Sequence, residues 1–186
     1  MHEELNWRVV ESEKVYSAPW LNAYRETCIK PDGNVVNDYY VLHYPNWVTA
    51  LAQTATGNFL LIKQYRHAIG KVSLEIPGGV VDDGDANLED AIARELLEET
   101  GYRFDSYEYL GATSPNPATS NNYMHMFLAT GGVQVAAQTL DANEEILVEE
   151  LSLQQLLALL RENKIIQAMH VTTIFYALQK LGTISL

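Results

Sequence analysis

Between the pair Gly78-Gly79 and Gly101 the chain carries a segment with two opposed faces. Leu88, Ala91, Ile92 and Leu96 recur at helical spacing, while Glu95, Glu98 and Glu99 stand at i, i+3 and i+4 and share a second face. The pattern predicts a helix over residues 88–99, with Asn87 as N-cap, Glu89 and Asp90 in the first turn, and Gly101 past its end. Such a helix must bury its apolar stripe while holding three like charges together beside a glycine turn. Exposed like-charged pairs at this spacing each cost about a few tenths of a kcal/mol, so a purely structural helix gains nothing from the cluster. A divalent cation that takes oxygen ligands offsets the charge and gives the cluster a reason. The segment is expected to hold a metal, and to use it in catalysis.

The rest of the chain frames this helix with strands. Residues 7–17, 23–30 and 35–43 are rich in Val, Tyr and Thr, with Pro31-Asp32-Gly33-Asn34 as a turn between two of them. After Pro45-Asn46, residues 47–53 and 59–66 read as a hairpin across Thr56-Gly57-Asn58. Leu74-Glu75-Ile76 before Pro77 suits an extended segment. Further strands are expected over 107–112, 122–129 and 146–150. A capping box from Ser152 to Gln155 opens a helix over 153–161, and a last apolar helix runs from about 167 to 181. The order points to an α/β layered domain with a mixed sheet covered by helices, residues 46–186, preceded by a β-rich extension, residues 1–45.

Charge and cysteine content narrow the function. The formal net charge is -12, which argues against a surface for a nucleic-acid backbone, since that needs a basic patch to release counterions. Cys28 is the single cysteine, excluding an internal disulfide and a thiolate cage. The histidines (His2, His43, His67, His125, His170) show no metal-binding spacing. The start of the chain lacks the basic and apolar segments of a secretion signal, and no apolar run is long enough to span a membrane. A cytoplasmic location, with neither membrane nor nucleic acid as partner, is the default expectation.

The segment closely resembles the Nudix box, G-x5-E-x7-R-E-U-x-E-E-x-G-U, where U is a bulky apolar residue. Counting from Gly79, five residues lead to Asp85, where the family has glutamate; eight residues instead of seven then precede Arg94-Glu95-Leu96-Leu97-Glu98-Glu99-Thr100-Gly101. Tyr102 is aromatic where the pattern has an aliphatic residue. The half that binds metal is intact, and the departures turn on whether Asp85 reaches Arg94. The resemblance implies a Nudix-type α/β/α sandwich. It also implies that Glu95 and Glu99 are principal Mg2+ ligands, that Glu98 is a further or water-mediated ligand, and that the Gly78 carbonyl completes the sphere. Mn2+ can substitute. Arg94 would hold the carboxylates in place.

Beyond the box, Gln64-Tyr65-Arg66-His67 followed by Leu74-Glu75-Ile76-Pro77-Gly78-Gly79 is similar to the entry of the box in ADP-ribose and nucleoside-diphosphate-sugar pyrophosphatases. There the arginine matching Arg66 lies near the substrate diphosphate, a task suited to a bidentate guanidinium, and Glu75 resembles a site-lining glutamate that could equally face solvent. Residues 114–122 resemble a substrate-facing loop in which Asn121 and Asn122 stand near a glutamate of many members. In the loop Asp141-Ala142-Asn143-Glu144-Glu145-Ile146 the resemblance makes Glu144 the first choice for positioning or deprotonating the attacking water, Glu145 the second, with Glu98 as the alternative base.

The resemblance therefore implies hydrolysis of the pyrophosphate bond of ADP-ribose or a related nucleoside diphosphate sugar, giving AMP or another nucleoside monophosphate and a sugar phosphate. It also implies a homodimer that exchanges its N-terminal strands. The competing readings are a Nudix hydrolase for an oxidised nucleoside triphosphate or a dinucleoside polyphosphate, and a nucleotide-sugar sensor without catalysis.

Overall fold

A computed structural model describes residues 3–184, so the expectation placed on His2 lies outside the described residues. The chain divides into two compact units: the stretch up to Pro45 together with Ser114–Tyr123, and Asn46–Thr113 together with Met124 onward.

The first unit is a three-stranded antiparallel meander, β1 (Arg8–Ala18), β2 (Leu21–Ile29) and β3 (Val35–His43). Its boundaries fall within two residues of those read from the sequence. β1 is an edge strand and is exposed along almost its whole length, with Val9, Val10, Val15 and Tyr16 open to solvent. Residues 114–123, placed by the sequence in the second segment, group with this unit instead. Ser120 bridges Leu42, and the Tyr39 hydroxyl donates to the Ala118 carbonyl at 2.8 Å. These pairings join positions far apart in sequence and have no local signature.

The second unit is a mixed sheet of eight strands between helices. Its strands are β4 (Trp47–Thr54), β5 (Phe59–Arg66), β6 (Lys71–Glu75), β7 (Gly78–Val80), β8 (Tyr102–Arg103), β9 (Ser106–Thr113), β10 (Met124–Gln134) and β11 (Ile146–Leu151), and its helices α1 (Leu88–Thr100), α2 (Leu153–Arg161) and α3 (Ala168–Lys180). The central path runs β11-β5-β4-β10-β8, with β6 on β5, β7 on β4 and β9 on β10. The β4–β10 pair is parallel and the others are antiparallel.

Period-two alternation sorts the core strands between two layers. Val48, Ala50, Ala52, Leu60, Phe127 and Ala129 pack with Ala91, Ile92 and Leu96 of α1. Leu51, Phe59, Leu61 and Leu128 pack with Leu156 of α2 and Ile174, Ala177 and Leu178 of α3. The central strands are apolar on both faces because both are covered, which makes the unit an α/β/α sandwich.

Two elements differ from expectation. Residues 78–80, read as a glycine turn, form β7 and pair with Trp47–Thr49. β10 starts at Met124 and continues past Ala129, the expected end, to Gln134 through a register shift, so Gly131-Gly132 lie inside a strand.

Candidate active site

The site is built where β7 meets the far half of α1. Asn87 caps the helix by accepting from the N–H groups of Glu89 and Asp90, and the Gly101 N–H donates to the Leu97 carbonyl at its other end. The apolar face of α1 seats the helix on β4 and β10, which turns Glu95 and Glu99 inward toward β7. Glu99 is 3% exposed, and its carboxylate accepts from the Gly78 N–H at 2.8 Å. The two glycines answer to different neighbours. A Cβ on Gly79 would stand 2.5 Å from the Glu95 carboxyl, and one on Gly78, at φ 149°, would stand 2.2 Å from the Val48 carbonyl oxygen. Glycine at 79 thus leaves room for a carboxylate directly against the strand, while glycine at 78 lets β7 lie on β4.

Arg94 organises the acids. It donates to both oxygens of Asp85, at 3.0 and 2.9 Å, to Glu95 at 2.9 Å, to Glu98 at 3.1 Å and to the Val80 carbonyl at 2.9 Å. Asp85 does reach Arg94, although one more residue separates them than in the family pattern. Hydrogen bonds from Arg94 hold the Asp85 carboxyl below its ordinary range.

Burial dominates the other acids. It pushes the Glu95 carboxyl up to about 7, against the opposing pull of Arg94, and the charges of Glu98 and Glu144 add to the rise. Glu99 is raised well above the ordinary value, again first by burial, although the Gly78 N–H and Arg66 oppose it. Two buried carboxyls held toward the neutral form are what a hard cation would stabilise as anions. The donor set is all oxygen, which suits Mg2+ or Mn2+ and not a thiolate-seeking metal. Among the described residues no three His, Cys, Asp or Glu side chains are gathered into a ready-made cage. Arg94 and the Gly78 N–H each engage one oxygen of Glu95, Glu98 or Glu99, so every one of these carboxylates has a second oxygen to offer.

A second constellation adjoins the first electrically. Arg66, at the end of β5, forks onto Glu75 of β6 through Nε at 2.9 Å and Nη2 at 2.6 Å. The Glu75 side chain is 1% exposed, which removes the reading of a solvent-facing glutamate. Burial would raise its pKa, but the Arg66 hydrogen bonds and the Arg66 charge outweigh it and hold the carboxyl low. The charges of Glu99 and Glu144 act on Arg66, and the Glu144 charge also acts on Glu95 and Glu99. Glu144 is partly buried whereas Glu145 is exposed.

The loop that carries Glu144 is tied to the end of α1. Thr139 N–H donates to the Glu98 carbonyl at 2.9 Å, and Gln138 Nε2 donates to the Glu99 and Ile146 carbonyls. Sequence reasoning missed both anchors, and missed His170, whose Nδ1 lies 3.8 Å from Glu75. Spacing could not have found them, because each partner is distant in the chain. Asn121 and Asn122 belong to the first unit. Asn121 is exposed, with its N–H on the Leu42 carbonyl at 3.2 Å. Asn122 is buried, and its Nδ2 donates to the Pro45 carbonyl at 3.1 Å.

The family model for the NUDIX domain matches residues 43–170. The chain belongs to the Nudix family. A second model, the nucleoside diphosphate sugar hydrolase N-terminal domain, matches residues 7–42. This Nudix hydrolase is 29% identical to the ADP-ribose pyrophosphatase of Bacillus subtilis (strain 168) over 94% of both chains. It is 27% identical to the methanol dehydrogenase activator of Bacillus methanolicus over 91% of both. A crystal structure of an ADP compounds hydrolase superposes with a TM-score of 0.83 over 96% of this chain and 97% of that one, at 19% identity, a likeness of fold. Nudix hydrolases generally use divalent metal cations. Among the described residues no helix is long and apolar enough to cross a membrane.

Proposed function

We propose that this Nudix enzyme hydrolyses the pyrophosphate bond of ADP-ribose or a related nucleoside diphosphate sugar with Mg2+, releasing AMP or another nucleoside monophosphate and a sugar phosphate. The observation that carries the reading is the gathering of Glu95 and Glu98 by Arg94 and of Glu99 by the Gly78 N–H, in the same unit as an Arg66 held by two hydrogen bonds to the buried Glu75. A fixed cation for the diphosphate then stands within reach of the charges that would serve the metal and the water. The two matched domain models and the full-length similarity to an ADP-ribose pyrophosphatase support the same substrate class.

In this reading Glu95, Glu98, Glu99 and the Gly78 carbonyl hold the cation. Bound there, Mg2+ would neutralise the diphosphate oxygens and lower the pKa of a water. Arg94 keeps Glu95 and Glu98 in register and is itself fixed by Asp85. Arg66, with Nε and Nη2 committed to Glu75, offers the opposite edge of its guanidinium to a phosphate oxygen. Glu144 takes the proton of the attacking water, and Glu98 is the fallback base. As the water oxygen bonds to one phosphorus the bridging P–O bond breaks, the other phosphate departs with its sugar, and Arg66 offsets charge on the released oxygen.

We also propose that the enzyme is a homodimer in the cytoplasm, joined through its N-terminal strands. The exposed edge strand β1, with apolar Val9, Val10, Val15 and Tyr16 in the open, supports this. Equilibrium sedimentation tests it, and a monomer at working concentration would remove it.

The test of function is release of AMP from ADP-ribose, run beside a panel of nucleoside diphosphate sugars with Mg2+. Turnover is expected for the parent chain and its loss in Glu99→Gln. Silence across the panel with either Mg2+ or Mn2+ would overturn the reading, and pyrophosphate release from nucleoside triphosphates would replace it.

A further inference from the structure

His170 sits in the first turn of α3, where the Gln167 side chain accepts from its backbone N–H and from that of Met169. The residue is buried, as are Met169, Thr173 and Ile174 of the same helix. Its Nδ1 has no hydrogen-bond partner among the described residues. A leucine or methionine would fill such a place without stranding a polar atom, so packing does not account for an imidazole. Nδ1 is 3.8 Å from Oε2 of Glu75, the same oxygen that accepts from Arg66 Nη2.

Glu75 is an almost fully buried carboxylate whose cationic partner, Arg66, is half exposed. Under the proposed function that cation is shared with the substrate. When Arg66 turns part of its charge to a phosphate, the buried Glu75 loses compensation, and a buried anion with too little is costly. An Nδ1–H that closes from 3.8 Å to hydrogen-bonding distance, about 3 Å, would supply the missing donor and keep Glu75 in place. We propose that His170 is a positioning residue which, through Glu75, fixes the plane in which the Arg66 guanidinium meets the substrate diphosphate. This inference rests on the pyrophosphatase reading of the site.

Steady-state kinetics on ADP-ribose test it with His170→Leu, which fills the space without a donor, and His170→Asn, which keeps an amide N–H close to the Nδ1 position. Binding lost equally in ground and transition states raises KM and spares kcat. His170→Leu is expected to raise KM by about tenfold with kcat nearly unchanged, and His170→Asn to stay near the parent. In an Arg66→Gln background His170→Leu is expected to add nothing, because both changes remove one linked interaction. An unchanged KM in His170→Leu, or effects that add independently of Arg66, would overturn the role. Should the leucine variant fail to fold, His170→Gln, which moves the amide toward the Nε2 position, takes its place with the same expectation. Exchange of the Arg66 Nε–H, followed by NMR without substrate, separates this inference from the function itself. Protection is expected in the parent and in His170→Asn, and faster exchange in His170→Leu. Equal exchange in all three overturns the positioning role even if ADP-ribose is not the substrate, whereas an inactive parent with the expected exchange pattern overturns only the substrate reading.

Discussion

Asp85 and Arg94 meet through two parallel hydrogen bonds, Nε to Oδ1 at 3.0 Å and Nη2 to Oδ2 at 2.9 Å, across a stretch one residue longer than the family pattern. The shorter aspartate and the longer loop both depart from that pattern, yet the pair closes. The Asp82 N–H donates to Asp85 Oδ2 at 2.8 Å, and Asp85 N–H returns to the Asp82 carbonyl at 3.0 Å, so the turn presents the carboxylate as a unit. Because Arg94 carries on to Glu95 and Glu98, Asp85 fixes these two carboxylates at one remove. Asp85→Ala is expected to weaken metal affinity and activity by about 10- to 100-fold. The accompanying loss of stability should be about 1–3 kcal/mol. Titration of activity with Mg2+ and urea unfolding check both, and an unchanged metal midpoint would show that Arg94 needs no second anchor.

Glu144 and Glu145 are neighbours in sequence but not in setting. Only Glu144 exerts a charge on Glu95, Glu99 and Arg66 among the interactions that shift those groups. Glu144→Gln is expected to lower kcat by about 10^2- to 10^4-fold, the usual worth of general-base assistance, with KM little changed. Glu145→Gln should behave like the parent. The reverse pattern would move the base by one residue, and a full effect from Glu98→Gln alone would move it to the box.

Glu99 is the most buried of the box acids, and its single shown hydrogen bond comes from the Gly78 N–H. If it holds a cation, adding Mg2+ to chelator-treated protein should stabilise the fold by about 2.7 kcal/mol at a hundred times the dissociation constant. A thermal-shift titration reads this as a rise in Tm. In Glu99→Gln the rise should vanish even though the metal-free variant stays folded, since the neutral amide relieves a carboxyl already raised by burial. A Tm that ignores Mg2+ in the parent chain would count against the assigned ligands.

What the sequence made legible follows the range of the interactions involved. The α1 boundaries, its Asn87 cap and the capping box at Ser152 depend on partners within four residues, and local pattern found all of them. Strands β4 and β5 were found because their apolar runs, 50–52 and 59–62, are buried on both faces. β7 was missed because a three-residue strand of glycine and valine takes its identity from β4 and not from itself. Arg66 and Glu75 were singled out separately, but their hydrogen-bonded pairing is not read from strand register, which sets Arg66 opposite Lys71 and Glu75 opposite Ile62, and only the folded site supplies it. His170, Gln138 and Thr139 were overlooked for the same reason.

His170 gives the pH dependence its clearest handle. Burial lowers its pKa from 6.5 to about 4, so the ring is neutral in the folded chain at pH 7. The unfolded chain takes up this proton more readily, so the stabilisation is complete above about pH 6.5 and is lost as pH falls toward 4. A shift of that size corresponds to roughly 3 kcal/mol. The acids do not mimic it. Glu75 and Asp85, both held low, lose their contributions only as pH falls below the ordinary carboxylate range. Glu95, raised to about 7, and Glu99, raised well above its ordinary value, both by burial, act in the opposite sense and favour the metal-free fold as pH falls. The parent curve therefore mixes opposing slopes, and the difference between parent and His170→Asn isolates the histidine. Urea unfolding from pH 7 to 4.5 is expected to show the parent losing stability relative to that variant, with most of the divergence below pH 6.5. Parallel curves would mean that the His170 pKa is the same in the folded and unfolded chain, and a parent that gains on the variant as pH falls would mean that the folded chain holds the ring charged against Glu75.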